Sequence, residues 1–131
     1  MVSELFFFTN VSQMASASTP TVHSLQNSFP HKLKHDNYSL WKTQVVPQLK
    51  GIDVYGFVDG FKPVPPQQIS TTSTTGVVTV VDNLDYSYWN SQDNLILGAL
   101  ISSIEESLIT HVVNCKTSRE VWTTLDRMFA L

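Results

Sequence analysis

Residues 84–104 read LDYSYWNSQDNLILGALISSI, the longest run of this chain with one clear period. Take Trp89 as origin and advance about 100° per residue. Ile96, Leu97, Leu100, Ile101 and Ile104 then share with Trp89 an arc about 140° wide, which predicts an amphipathic helix with a broad apolar face. Asp85 is placed to cap its start, with Leu84 and Trp89 at the two positions of a hydrophobic staple. A helix of this kind draws its stability from tertiary packing, so the rest of the chain must supply partners for the face. Asp93 interrupts the pattern, at about 40° on the same wheel. A carboxylate buried there without a partner would be costly. Asp93 is therefore expected either exposed in the first turns or buried and bonded to a Trp N–H or another helix start.

Upstream, residues 31–62 read HKLKHDNYSLWKTQVVPQLKGIDVYGFVDGFK. Asn37 can cap a helix on which Tyr38, Trp41, Val45, Leu49 and Ile52 recur on one face. Pro47 removes one backbone hydrogen bond, so the helix is expected to kink or restart near it. Gly51 suits a left-handed C-cap. Gly56 marks a tight turn or a close backbone approach, and Asp59-Gly60 is a turn signal. Pro63, Pro65 and Pro66 then hold the chain extended. Residues 67–83, QQISTTSTTGVVTVVDN, form a Ser/Thr-rich run into a valine block. The block has β propensity without an evident partner strand. It is expected to be a loop; the competing reading is a strand that seeks another edge, even in a second molecule.

Downstream, Ser103 and Glu106 make a capping-box pattern ahead of Leu108, Ile109, Val112 and Val113. Thr117 and Glu120 repeat it ahead of Val121, Trp122, Leu125, Met128 and Phe129. Each of the three tryptophans stands four residues after a capping type, at Asn37, Asp85 and Ser118. One helix-start solution used three times predicts that the rings meet near one end of a bundle. The expected core is Trp41, Trp89, Trp122, Leu97, Leu100, Leu125 and Phe129. The expected caps and turns are Asn37, Gly51, Gly56, Gly60, Asp85, Ser103 and Thr117. The fold class that follows is all-α, a small bundle of about five helices with a Thr/Val-rich loop. A flexible leader is expected over residues 1–30 and one domain over residues 31–131. The chain stops at Leu131, two residues past the last apolar contact at Phe129, so the domain is expected to be truncated there.

Hydrophobic residues make up 42% of the chain and charged residues 15%, which suits a folded protein. The net charge is -3. Residues 31–50 are basic, through Lys32, Lys34, Lys42 and Lys50, while residues 51–131 are acidic. A nucleic-acid binder usually carries a larger basic excess, so the lysines read as a solvated face. Cys115 is the single cysteine, which excludes an intramolecular disulfide and a CxxC metal site. His23, His31, His35 and His111 lack metal-ligand spacing with each other or with Cys115. No P-loop, G-x-S-x-G or G-x-G-x-x-G occurs, and Val58-Asp59-Gly60 lacks the Ser or Thr of an aspartic-protease motif. Glu105 and Glu106 are adjacent, so they point to different helix faces. No run approaches a membrane span. Catalytic, metal and cofactor sites are all expected to be absent.

The strings NYSLWKTQVVPQLKGIDVYGFVDG, WNSQDNLILGALISSI and SREVWTTLDRMFA together resemble the N-terminal part of the Gag polyprotein of copia-type LTR retrotransposons, over about residues 30–131. The matching positions include Asn37, Tyr38, Trp41, Lys42, Leu49, Gly51, Gly56, Gly60, Pro66, Trp89, Asp93, Leu97, Val121, Trp122, Leu125 and Phe129. The resemblance implies a capsid-like helical domain that assembles around RNA and performs no catalysis. The sequence departs from the family pattern in a longer Thr/Val segment at residues 70–81. It also lacks, within its length, the C-x2-C-x4-H-x4-C zinc knuckle of a full Gag. The expected function is that of a truncated Gag fragment which self-associates through a surface that includes Val121–Phe129. Self or other Gag chains are its expected partners, RNA binding weak or absent, and the location cytoplasmic with no membrane contact. The alternative is a helical adaptor, a host-retained remnant binding a peptide or another Gag in a groove.

Overall fold

A computed structural model describes Leu25 and residues 29–130. The elements are α1 (Tyr38–Gly51), α2 (Gly56–Asp59), β1 (Gln68–Thr72), β2 (Val78–Asp82), α3 (Leu84–Ser102), α4 (Glu106–Ile109) and α5 (Ser118–Phe129). The all-α expectation is therefore corrected: the described residues form a mixed fold of five helices with a two-stranded antiparallel sheet. The expected Thr/Val loop is a hairpin. The valine block pairs with Gln68–Thr72, in register from Gln68 opposite Asp82 to Thr72 opposite Val78. The physical reason is local. Ser73 closes the turn, its N–H donating to the Val77 carbonyl and its hydroxyl accepting from the Val77 N–H. Gly76 takes φ +84 there, a value an L side chain rarely adopts. Ile69, Thr71 and Thr72 are β-branched, so the apparent linker is itself a competent strand.

α1 buries Trp41, Val45 and Leu49, four residues apart along one face. It runs through Pro47 without ending. The Pro47 ring leaves the Thr43 carbonyl without its helical donor. Asn37 precedes α1 and ties down the incoming chain: its Oδ1 accepts from the Lys34 N–H and its amide donates to the Lys32 carbonyl. The segment before it is fixed to the far end of α3 by a parallel bridge. There the Leu33 N–H donates to the Ser103 carbonyl and the Glu105 N–H to the Leu33 carbonyl.

β2 leads directly into α3 through Asn83. Its Oδ1 accepts from the Asp85 N–H and its amide donates to the Pro66 carbonyl. Asn83 is the cap, and Asp85 sits in the first turn, where a carboxylate is favoured by the helix dipole. Leu84 is exposed, so it makes no staple with Trp89. α3 buries Ile96, Ala99 and Leu100, with Leu97 and Ile101 half-buried beside them. α4 is a single turn whose N-cap, Glu105, makes no side-chain cap bond. It seats Leu108 in the core. Thr117 caps α5 by accepting from the Glu120 N–H, and Glu120 reaches back to the Lys116 N–H.

α5 packs against α2 and α3. One continuous core joins Leu33, Trp41, Val45, Leu49, Val58, Ile96, Leu100, Ile104, Leu108, Val112, Val121 and Leu125. Leu25 and Phe29 also pack on it. They fall inside the span read as a leader, whose other residues lie almost wholly outside the described ones. Each fully buried Leu or Val stabilises the fold by roughly 1.5–3 kcal/mol relative to exposure.

Candidate interaction site

A cluster of polar and aromatic groups lies where α1 meets α5. The helical repeat sets Tyr38 and Lys42 one turn apart, and α5 likewise sets Asp126 near Phe129. Tyr38 stacks on Phe129 at 5.5 Å and on Trp41 at 6.0 Å between centroids. Trp41 packs on Trp122 at 5.8 Å, and Tyr55 meets Trp122 edge-on. The Lys42 ammonium lies 5.5 Å from the Tyr38 ring centre and 5.7 Å from that of Trp122, a cation–π position. The Tyr38 hydroxyl (2.9 Å) and Lys42 Nζ (3.1 Å) both donate to Asp126 Oδ1.

Burial, and then the acceptor carboxylate, push the Tyr38 phenol far above its ordinary value, so it remains a donor. Lys42 first and Tyr38 second hold Asp126 below the usual carboxylate range. Beside this cluster opens a cleft of about 740 Å³, walled by Tyr38, Lys42, Val46, Pro47 and Phe129. A stacked aromatic floor with one cation and one carboxylate at its rim suits recognition. It holds no nucleophile paired with a base.

The other predicted residues stand elsewhere. Trp41 is wholly buried, and its indole N–H donates to the Ser103 hydroxyl. Ser103 passes the bond on to the Leu100 carbonyl. It therefore closes α3 and does not open α4. Trp89 is only half-buried. It stacks on Phe57 at 5.5 Å and donates to the Lys62 carbonyl at 2.8 Å. Trp41 and Trp122 thus touch, while Trp89 belongs to a separate stack with α2.

Gly51 is the last residue of α1, and the positive φ of that turn belongs to Asp53. Gly60 takes φ +93 at the end of α2, and a Cβ there would lie 2.8 Å from the Arg119 guanidinium. Gly56 is the first residue of α2, and a Cβ there would lie 2.7 Å from the Lys62 side chain. Both glycines admit a long cation against the backbone. Arg119 donates to the Val58 carbonyl, and Lys62 pairs with Asp53.

Asp93 is buried at 2% exposure. It accepts from the Ser118 N–H and hydroxyl, at the start of α5. Burial pushes its carboxyl up, and the two bonds from Ser118 oppose that shift. Val121, Trp122 and Leu125 are buried, so the apolar face of α5 is already covered. Phe129 is half-buried.

Sequence reasoning missed the Tyr38–Lys42–Asp126 network, because exposed charges carry no periodic signal. It also missed the hairpin. Both strands are exposed along their whole length, so neither shows the alternation that marks a half-buried strand. Among the described residues no group of His, Cys, Asp or Glu could hold a metal ion, and no helix is long and apolar enough to cross a membrane.

Comparison with known proteins adds a family to this geometry. Residues 48–130 match the family described as gag-polypeptide of LTR copia-type. Two relatives from Arabidopsis thaliana are the retrovirus-related Pol polyproteins from transposons RE2 and RE1. They are 35% and 34% identical to this chain over 99 residues, which is 76% of this chain and 6% of either relative. The chain thus spans about 6% of the length of these curated relatives. No solved structure matches it.

Proposed function

Because this chain belongs to the gag polypeptides of copia-type LTR elements, we propose that it serves as a capsid-like structural domain that associates with copies of itself or with other Gag chains. A Gag region is structural and non-enzymatic. The observation that carries the reading is the distribution of exposed apolar side chains. Ile69, Val77, Val78, Val80, Val81, Leu84 and Tyr88 are all exposed within residues 69–88, with Val78 and Val80 on one face of the hairpin and Ile69 and Val81 on the other. Large apolar side chains left exposed together on one element usually mark an interaction site. Sedimentation velocity over a wide range of protein concentration tests the proposal. A sedimentation coefficient that rises with concentration, without nucleic acid, is the expected result. A single monomeric species throughout would overturn it.

The cleft beside Tyr38 and Lys42 favours a second reading, an adaptor that takes a peptide or a segment of another Gag. Lys42→Glu would then abolish co-precipitation with a full-length Gag and leave self-association intact.

A further inference from the structure

The β1–β2 hairpin stands apart from the core. All ten of its strand residues are exposed. An isolated two-stranded hairpin is at best marginal in water, and it gains independent stability from a third strand or a covering helix. Its inner ladder is fixed by the bonds from the Ser73 N–H to the Val77 carbonyl and from the Asn83 N–H to the Gln67 carbonyl. In an antiparallel ladder these bonded pairs alternate with pairs whose N–H and C=O point away from the partner strand. The outward groups of β2 therefore belong to Val78, Val80 and Asp82, and those of β1 to Gln68, Ser70 and Thr72. Native edges are usually blunted by Lys, Pro or a bulge. The β2 edge has none of these, and Val78 and Val80 are 64% and 60% exposed.

From this edge we infer that two copies of the chain join β2 to β2 across a two-fold axis at Val80, giving a four-stranded antiparallel sheet. The inference rests on the self-association proposed above and names its surface. The edge is self-complementary in that register. Val80 faces Val80 of the second copy, and Val78 faces Asp82 of the second copy. The only charge on the hairpin thus never meets its own image. Every outward N–H and C=O of Val78, Val80 and Asp82 finds a partner. On the opposite face Thr79 lies across from Val81 of the second copy, which extends the Ile69–Val81 pair into a continuous β-branched row. An isologous interface requires this kind of self-match. The β1 edge, with Gln68, Ser70 and Thr72, offers only polar side chains.

The test uses the full chain in a Cys115→Ser background. Opposed residues of a bonded antiparallel pair lie about 5.5 Å apart between Cα atoms, within the reach of a disulfide. Val80→Cys should give a covalent dimer on mild oxidation. Ser70→Cys, also exposed but on the other edge, should remain monomeric. Val80→Pro removes an outward donor without breaking the inner ladder, and Val80→Lys sets like charges across the axis. Both should abolish the concentration-dependent rise in sedimentation while the circular dichroism stays native.

Equal cross-linking at positions 70 and 80 would overturn the inference. So would dimers that persist in Val80→Pro and Val80→Lys, and that result would leave self-association standing on another surface. A wild-type chain that is monomeric at every concentration would instead remove the underlying reading, and the inference with it.

Discussion

Trp41 and Trp89 occupy equivalent places in the sequence pattern but not in the fold. Trp41 is wholly buried and its N–H ends on a buried hydroxyl. Trp41→Ala should therefore cost about 3–5 kcal/mol, the range for a buried aromatic truncated to Ala. Out of a total of roughly 5–15 kcal/mol, that loss leaves little cooperative unfolding. Trp89→Ala gives up one stacked ring and one bond to the Lys62 carbonyl, so about 2 kcal/mol is expected. Urea melts of the two variants check the order, and a larger loss at Trp89 would contradict the burial argument. Asp93 supplies a pH signature. Burial raises its carboxyl in the folded state, so the native chain holds a proton that the unfolded chain has already released. Stability from this group is full below the ordinary carboxylate value of about 3.9 and declines as pH rises through the raised native value. Asp126 has the opposite sign, because its depressed carboxyl adds stability that is lost as pH falls. Asp93→Asn should remove only the first component, and should cost about 1–3 kcal/mol through the weakened bonds to Ser118. The gap between wild type and variant should shrink as pH rises above about 4. A gap that widened would mean that the Ser118 bonds outweigh burial.

The elements differ in how much of their stability they draw from the core. Both ends of the hairpin meet at the bond between Asn83 and Gln67, and no residue of β1 or β2 is buried. Replacing residues 68–82 by a short Gly-rich turn should leave helical circular dichroism and the unfolding midpoint nearly unchanged, while self-association is lost. A collapse of the fold on that deletion would show that the hairpin supports the core. Thr117→Ala, which removes the cap of α5, should cost about 1 kcal/mol. The contrast between cap and hairpin also explains what the sequence could disclose. α1, α3 and α5 were legible because Trp41, Val45 and Leu49, or Val121, Trp122 and Leu125, repeat at helical spacing on faces that the core covers. The hairpin was not, because a strand exposed on both faces has no alternation, and Gln68–Thr72 has the composition of a linker. Of the candidate site, the need of Asp93 for a partner could be read from its place on the apolar face. That the partner is Ser118 could not, since the pairing depends on how α5 lies across α3. Tyr38 and Asp126 meet only through tertiary packing, 88 residues apart along the chain.

For the molecule as a whole, charge decides whether nucleic acid can be held. The net charge is -3, and much of the positive charge is already engaged. Lys42 is paired with Asp126 over two rings, and Lys50 lies 5.1 Å from the centre of Tyr55. Lys62 is paired with Asp53 over Phe57, and Arg119 is bound to the Val58 carbonyl. RNA affinity depends mainly on how many phosphates are neutralised together, because that number sets the counterions released. Lys32 and Lys34 flank Leu33 on the segment before α1, and Asp36 follows two residues later. A chain that neutralises two or three phosphates should bind single-stranded RNA no more tightly than ordinary non-specific association, about 10⁻⁴ to 10⁻⁶ M. Its log–log salt slope should be no steeper than about -2, at about -0.7 per phosphate on a single strand. Fluorescence anisotropy with a labelled RNA, at salt from about 0.05 to 0.2 M, measures both quantities. Lys32→Ala with Lys34→Ala should flatten the slope further and leave sedimentation unchanged. Nanomolar binding, or a slope of about -5, would require a basic surface that the described residues do not provide, and would count against a domain whose contacts are with protein.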